Sequence, residues 1–209
     1  MYKDFLFIIQ ARINSNRLPN KILFSFKGKT IIEYLYCKIK KQFSKSQIVI
    51  AIPDTKINIY LKNFLKKKKL NYCAGSEDNL IARYQKVSKK FEKKYIVRLT
   101  SDNPMINSRL VKYSLDSHLK SNQKFSSTRK MIKKKIIRFF PKGHSIDIIN
   151  KEELLKINTK YLSKFEKEHI IPYLYKNIKC NFIKNKKLKQ NLNLKSASLD
   201  TLEDYFKII

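Results

Sequence analysis

Residues 5–21 read FLFIIQARINSNRLPNK, and the change of character halfway along decides the fold. Phe5 to Ala11 is a nearly continuous apolar run, as a strand needs when both of its faces are covered in a parallel sheet. Arg12 to Lys21 is polar and carries Arg12, Arg17 and Lys21 with Ser15 between them. A loop past the carboxyl end of a buried strand is where an open α/β sheet binds its ligands. Thr30 then opens a helix. Glu33, three residues on, completes a capping box, and Ile31, Ile32, Leu35 and Ile39 share one helical face.

The same unit repeats along the chain. Gln47 to Ile52 reads as strand and Asn58 to Lys67 as helix, Asn71 to Ala74 as strand and Asn79 to Phe91 as helix, Tyr95 to Leu99 as strand and Ser108 to Leu119 as helix. Such alternation implies right-handed crossovers and a mostly parallel, Rossmann-like sheet with helices on both faces. Beyond about residue 120 the rhythm changes. Strands are expected at Lys124 to Thr128, Ile136 to Phe140 and Ser145 to Ile149, then helices at Glu152 to Asn158 and Phe165 to Lys176, with a second capping box at Ser163 and Glu166. Asn181 to Ile183 and Ala197 to Leu199 read as short strands, and Thr201 starts a last helix. No Pro, Gly or Ser-rich break separates the halves. Residues 1–209 therefore read as one α/β domain in which a smaller α+β insertion extends the sheet.

The 209 residues are 43% hydrophobic, with 13 Phe and 12 Tyr, which is enough for a large core. The net charge of +31 suggests a partner that is a polyanion. Only seven of the cations are arginine, however (Arg12, Arg17, Arg83, Arg98, Arg109, Arg129 and Arg138), and arginine is the side chain suited to forked contacts with phosphate and bases. The lysine runs Lys66 to Lys69 and Lys133 to Lys135 read as solvated surface, and nucleic acid is not the expected partner. Cys37, Cys73 and Cys180 form no paired pattern, which excludes a sequence-level disulfide framework or zinc site. No secretory signal or membrane-length apolar segment is legible, so a cytoplasmic enzyme with no membrane partner is expected.

Three strand-end loops hold the candidate chemistry: Arg12 to Lys21, Gly75 to Asp78 and Thr100 to Pro104. Three cations, the Ser15 hydroxyl and several backbone amides in the first loop make a cradle for a triphosphate. It has neither the GK[ST] ending of a P-loop nor a GxGxxG, so an ordinary basic loop has the same composition. Asp102 and Asp200 each follow a strand, and two carboxylates so placed can share a magnesium ion. Asp200 suits equally the N-cap of the last helix. Arg83 lies one turn past the second loop, facing either a nucleotide or a surface ion pair. His144 and His169 are two of three histidines, and a packing role for His169 is as open as a functional one.

Six segments taken in order add a resemblance. IIQARINSNRLPNKIL, GSEDNLIARY, VRLTSDNPMI, FPKGHSIDII, EKEHIIPYLY and SASLDTLEDY resemble the successive motifs of the sugar-acid cytidylyltransferases, a family that includes acylneuraminate, 3-deoxy-manno-octulosonate and spore-coat polysaccharide types. The resemblance covers nearly the whole chain. It implies a nucleotidyltransferase fold and transfer of CMP from CTP to an acidic sugar, with release of pyrophosphate, for surface polysaccharide or glycoconjugate synthesis. It implies that Arg12 and Lys21 are catalytic and that Gln10, Ala11, Ser15 and Arg17 complete the phosphate loop. Gly75, Ser76, Glu77, Asp78 and Arg83 would lie at the base end of the nucleotide, and Asp102 and Asp200 would hold Mg2+. Gly143, Asp147, Lys167, Glu168 and His169 would meet the sugar, with His144 beside them. It also implies a homodimer, formed through about Lys124 to Lys176. Asn20, Ser101 and Leu202 depart from the family's Gly, Gly and Pro, and Lys167 from its Arg. The rival readings are a nucleotidyltransferase for another NTP or a sugar phosphate, and a basic RNA-binding protein on the same scaffold.

Overall fold

A computed structural model of the protein describes residues 2–132 and 135–209. Its strands are β1 (Phe5–Gln10), β2 (Ser25–Phe26), β3 (Lys29–Thr30), β4 (Ile48–Pro53), β5 (Tyr72–Gly75), β6 (Tyr95–Thr100), β7 (Phe125–Ser127), β8 (Arg129–Ile132), β9 (Lys135–Arg138), β10 (Asp147–Asn150) and β11 (Cys180–Phe182). Its helices are α1 (Ile31–Lys40), α2 (Ile59–Lys67), α3 (Leu80–Lys89), α4 (Ser108–Lys120), α5 (Lys151–Lys156), α6 (Lys164–Glu168), α7 (Ile170–Asn177), α8 (Lys186–Asn191) and α9 (Leu202–Phe206).

Among the described residues the main sheet has seven strands in the order β11-β7-β10-β6-β1-β4-β5. β1 lies parallel to both β4 and β6, and β4 is parallel to β5. β10 is antiparallel to both of its neighbours, so one reversed strand joins the later part of the chain to the parallel half. The expected extension of the sheet is therefore what forms, while β8 and β9 pair as a separate antiparallel hairpin.

Successive side chains of a strand point to opposite faces. Phe5, Phe7 and Ile9 accordingly enter one apolar layer with Ile32, Leu35 and Ile39 of α1, Leu61 and Leu65 of α2, and Leu110 and Leu115 of α4. Leu6 and Ile8 enter the other with Ile81, Tyr84 and Val87 of α3 and Ile170 and Leu174 of α7. This two-sided burial is why residues 5–9 are apolar without alternation. The run Lys66 to Lys69 is exposed as expected, and Lys133 and Lys134 lie outside the described residues.

Both expected capping boxes form, at Thr30 with Glu33 and at Ser163 with Glu166. Three expectations are corrected. The single helix from Phe165 to Lys176 is two, broken at His169, whose backbone is extended (φ −127°, ψ 97°). Pro172 explains the break: in a continuous helix its ring would collide with the Glu168 carbonyl, whereas as third residue of α7 it sits where no N–H is needed. Ala197 to Leu199 is not a strand. Its amides bond singly to two loops, Ala197 N to Lys142 O at 2.9 Å and Leu199 N to Asp102 O at 2.7 Å. Thr201, not Asp200, caps the last helix, in a box with Asp204 that leaves the Asp200 carboxylate available for other partners.

Candidate active site

The loop after β1 turns back through Asn20, which stands in the left-handed region (φ 58°) where the family motif has glycine. That turn starts a short 3-10 segment, Lys21–Leu23, and carries Lys21 inward to a buried position beneath the loop. There Nζ of Lys21 donates to Leu199 O at 2.6 Å and lies 3.4 Å from Asp200 Oδ1 and 3.7 Å from Asp102 Oδ2. One ammonium thus joins the ends of three segments distant in sequence.

Asp200 is surrounded by cations. Arg17 Nη2 reaches Oδ1 at 2.8 Å and Lys142 Nζ reaches Oδ2 at 2.8 Å, with Ser198 Oγ at 3.3 Å. Burial pushes this carboxyl up, but the hydrogen bond from Lys142 and the charges of Lys21, Lys142 and Arg17 outweigh it and hold the group below the usual carboxylate range. Asp200 is ionised at neutral pH.

A cavity of about 230 Å³ opens above these groups, lined by Gln10, Ala11, Arg12, Ser15, Arg17, Lys21, Arg98, Asp102 and His169. With Ile22, Thr100 and Ser101 the lining comprises twelve residues, of which six were expected at the nucleotide or catalytic positions. Arg12 is exposed, and no carboxylate among the described residues pairs with it. A larger cavity, of about 450 Å³, lies at the amino end of β6 among Lys93, Lys94 and Lys151. The smaller one is the candidate site, because the carboxyl strand ends gather the paired carboxylates and inward-facing cations there.

The base-end residues have a different arrangement. Ser76, Glu77 and Asp78 are exposed and outside the lining of that cavity, and Asn14 Nδ2 donates to Glu77 Oε1 at 3.3 Å across the two loops. Arg83 is buried and is not a surface ion pair: its Nε donates to Ser76 O at 2.8 Å and its Nη2 to Glu77 O at 3.0 Å. It fixes the backbone of that loop. A Cβ added at Gly75 would stand 3.0 Å from Arg83 Cγ, so this glycine lets the arginine pass.

A second cavity, of about 200 Å³, adjoins the first through Arg17, Arg98, Thr100 and Asp102, and is otherwise lined by Arg129, Arg138, Lys142, Gly143 and Asp200, among others. Gly143 (φ 97°) belongs to its wall for a steric reason: an added Cβ would lie 2.5 Å from the Ala197 carbonyl carbon. Asp147 is buried below, accepting from Ser127 Oγ at 2.7 Å, Arg129 Nη2 at 2.7 Å and Arg98 Nη1 at 3.1 Å. Burial raises this carboxyl, yet Arg129 and Arg98 hold it low, and Asp147 in turn raises the Arg129 guanidinium against its own desolvation. Asp147 therefore positions two arginines and presents no free oxygen edge to a sugar. Of the other expected sugar residues, His169 lines the first cavity, whereas Lys167 and Glu168, on α6, line neither the first cavity nor the second. His144 is buried, facing Asn107 N at 3.3 Å and Lys195 O at 3.0 Å, a structural arrangement that burial reinforces by lowering its pKa.

Arg98 and Arg129 were not singled out from the sequence. Arg98 sits on a strand that otherwise reads as apolar core, which is the signal that was available; Arg129 gives none until the hairpin is folded.

Among the described residues no three His, Cys, Asp or Glu side chains form a metal cluster, and Asp102 and Asp200 are the two carboxylates that approach one point. Two carboxylates suit magnesium, which takes the rest of its shell from water and phosphate. No helix among the described residues is long and apolar enough to cross a membrane.

A family model described as cytidylyltransferase matches residues 6–189. The chain is 30% identical over 170 residues to the uncharacterized protein MJ1063 of Methanocaldococcus jannaschii, covering 81% of this chain and 66% of that one. It is 27% identical over 176 residues to the spore coat polysaccharide biosynthesis protein SpsF of Bacillus subtilis, covering 82% and 70%. The 3-deoxy-manno-octulosonate cytidylyltransferase of Cytophaga hutchinsonii is 30% identical over 101 residues, only 47% of this chain and 40% of that enzyme. A solved cytidylyltransferase from Leptospira borgpetersenii superposes with a TM-score of 0.82 at 28% identity, over 97% of this chain and 83% of that one. The strand-end cavities, the ordered motifs and a family match over most of the sequence agree: the chain belongs to the cytidylyltransferase family of nucleotidyltransferase enzymes.

Proposed function

We propose that this protein transfers CMP from CTP to an acidic sugar, a nonulosonic acid such as an acylneuraminate or 3-deoxy-manno-octulosonate, releasing pyrophosphate for surface polysaccharide or glycoconjugate synthesis. The observation that carries this reading is Lys21, buried between Asp102 and Asp200 under a cavity that Arg12, Arg17 and Arg98 also line. A hydroxyl oxygen of the sugar forms a bond to the α-phosphorus, the bond from that phosphorus to the oxygen bridging the α- and β-phosphates breaks so that pyrophosphate leaves with that oxygen, and the hydroxyl proton passes to solvent water. Arg12 and Lys21 bind the phosphates and offset the negative charge that grows on the departing pyrophosphate, in a fixed geometry that needs no rearrangement. Asp102 and Asp200 would hold magnesium, which when bound supplies Lewis-acid neutralisation of phosphate charge. Arg17 and Lys142 keep Asp200 ionised and oriented for that purpose. Arg83 holds the 75–78 loop beside the base end.

The acid specificity rests on charge. Around the second cavity five cationic side chains (Arg17, Arg98, Arg129, Arg138 and Lys142) face three carboxylates, Asp102 and Asp200 in its wall and Asp147 buried below, and the surplus favours an anionic acceptor. We further propose that the enzyme works in the cytoplasm as a homodimer through residues 124–176, where Ile132, Ile137 and Tyr161 are exposed. Pyrophosphate release measured across four NTPs and a panel of sugar acids tests the reading. Release with CTP and an acid is expected. Release only with another NTP or a sugar phosphate would replace it, and no release with any pair, together with salt-sensitive RNA binding, would overturn it.

A further inference from the structure

The carboxylate of Asp200 is fully engaged by the protein's own donors. An ionised carboxylate offers about four acceptor sites. Arg17 Nη2 at 2.8 Å and Lys21 Nζ at 3.4 Å share Oδ1, while Lys142 Nζ at 2.8 Å and Ser198 Oγ at 3.3 Å share Oδ2. Magnesium binds a carboxylate oxygen at about 2.1 Å. An ammonium kept on the same oxygen would then stand no more than about 5 Å from the metal, a strong repulsion beside a buried carboxylate. One cation has to leave Asp200 before a metal can use it.

The carboxylate itself is not the part that moves. The Asp200 amide donates to Asp204 Oδ2 at 2.9 Å, and Leu199 N donates to Asp102 O at 2.7 Å. Ala197 N donates to Lys142 O at 2.9 Å, and the close approach of Gly143 to Ala197 packs the two segments together. Lys21 is fixed too, since its side chain is only 8% exposed and also donates to Leu199 O. Arg17 shares Oδ1 with Lys21, so its departure would still leave an ammonium there. Lys142 differs. It is the ionic partner of Oδ2 among the described residues, its side chain is 45% exposed, and its flexible stem borders the second cavity. Releasing Lys142 alone clears one oxygen and keeps the other anchored.

We propose that Lys142 is a placeholder for the divalent cation: its ammonium holds Asp200 charged and in position, and turns into the second cavity when the metal takes Oδ2. This rests on the magnesium role given above to Asp102 and Asp200, and adds to it a competition built into the site. The metal binds the fraction of molecules in which Lys142 has let go, so its apparent affinity is lowered by that fraction. Lys142 is a positioning residue for the metal site, acting through Asp200.

The test is binding of MnCl2 without nucleotide, read from the loss of the free Mn2+ EPR signal, to wild type, Lys142→Met, Lys142→Arg and Arg138→Gln. Arg138 lines the same cavity and pairs with no carboxylate among the described residues, so it reports the general field of the site. Lys142→Met should bind Mn2+ about fivefold or more tighter than wild type, the equilibrium constant of an ion pair with one exposed partner. Lys142→Arg keeps the pair and should bind as wild type does. Arg138→Gln should change the affinity by no more than about twofold, because solvent and salt screen a charge that makes no contact. A thermal melt confirms that each variant is folded. Equal affinity of wild type and Lys142→Met, or no binding by either, overturns the placeholder, as does an equal gain in Lys142→Met and Arg138→Gln. In each of those cases the magnesium reading stands if EDTA abolishes pyrophosphate release, whereas full turnover in EDTA overturns both.

Discussion

Lys21 and Asp200 are 179 residues apart in the chain, and their Nζ and Oδ1 atoms stand 3.4 Å apart under the cavity that Arg12, Arg17 and Arg98 line. The contact closes the site: the first loop of the fold is held against the last by an ion pair that Arg17 and Lys142 reinforce. On the proposed function its members also carry chemistry, so removing them one at a time separates catalysis from stability.

For Lys21→Ala we expect kcat for pyrophosphate release to fall by about 10²–10³-fold, the usual cost of losing one preorganised electrostatic contact. Arg17 and Lys142 still satisfy Asp200, so the melting temperature should fall by only a few degrees. Steady-state kinetics beside a thermal melt checks both. Wild-type turnover with a matched acid would refute the role.

Chelation with EDTA is expected to abolish activity and added Mg2+ to restore it. Asp102→Asn should move half-saturation by magnesium upward by roughly tenfold or more, given that losing even an outer-shell partner of a metal ligand costs about 10–100-fold. A magnesium titration of both proteins reads this directly, and an unchanged titration curve would remove Asp102 from the metal site.

Asp147→Ala leaves two arginines facing each other without their shared carboxylate. Breaking a buried pair in this way costs about 3–5 kcal/mol, so a large loss in urea midpoint is expected. Gly143→Ala should also destabilise strongly, by on the order of 2–4 kcal/mol, because its backbone is left-handed and its Cβ would meet Ala197 and Ser198. Asn20→Gly, at a position already left-handed, should be close to neutral.

His118 is buried between Ser126 and Asn150, and burial pushes its pKa from 6.5 down to about 4. Between those values the unfolded chain binds the proton and the folded one does not. Stability is therefore present above pH 6.5 and is lost as the pH falls toward 4, by on the order of 3 kcal/mol. Denaturant titrations of wild type and His118→Gln across that window should show a steeper loss in the wild type; parallel curves would refute the assignment.

The parallel half of the fold was legible because it is built from local rules. Residues 5–9 are apolar without alternation since both faces of β1 are covered, and Thr30 with Glu33 announced α1 at its first turn. The break at His169 was less visible: the apolar spacing of residues 165–176 suits one helix, and only the reach of Pro172 back to the carbonyl of Glu168 divides it. The capping of α9 depended on which of two neighbouring oxygens, those of Asp200 and Thr201, turned toward the helix, and spacing alone leaves that open.

The sequence by itself determined the layered α/β architecture, the family and the cations of the first loop, since periodicity, caps and ordered motifs are properties of contiguous residues. Only the tertiary structure decided that Asp147 is an anchor for Arg98 and Arg129, that Arg83 braces a loop, and that the β8–β9 hairpin brings Arg129 and Arg138 to the cavity beside Asp200. The physical reason is that the role of a buried charge is set by its partners, and here those partners arrive from strands and loops far away in the chain.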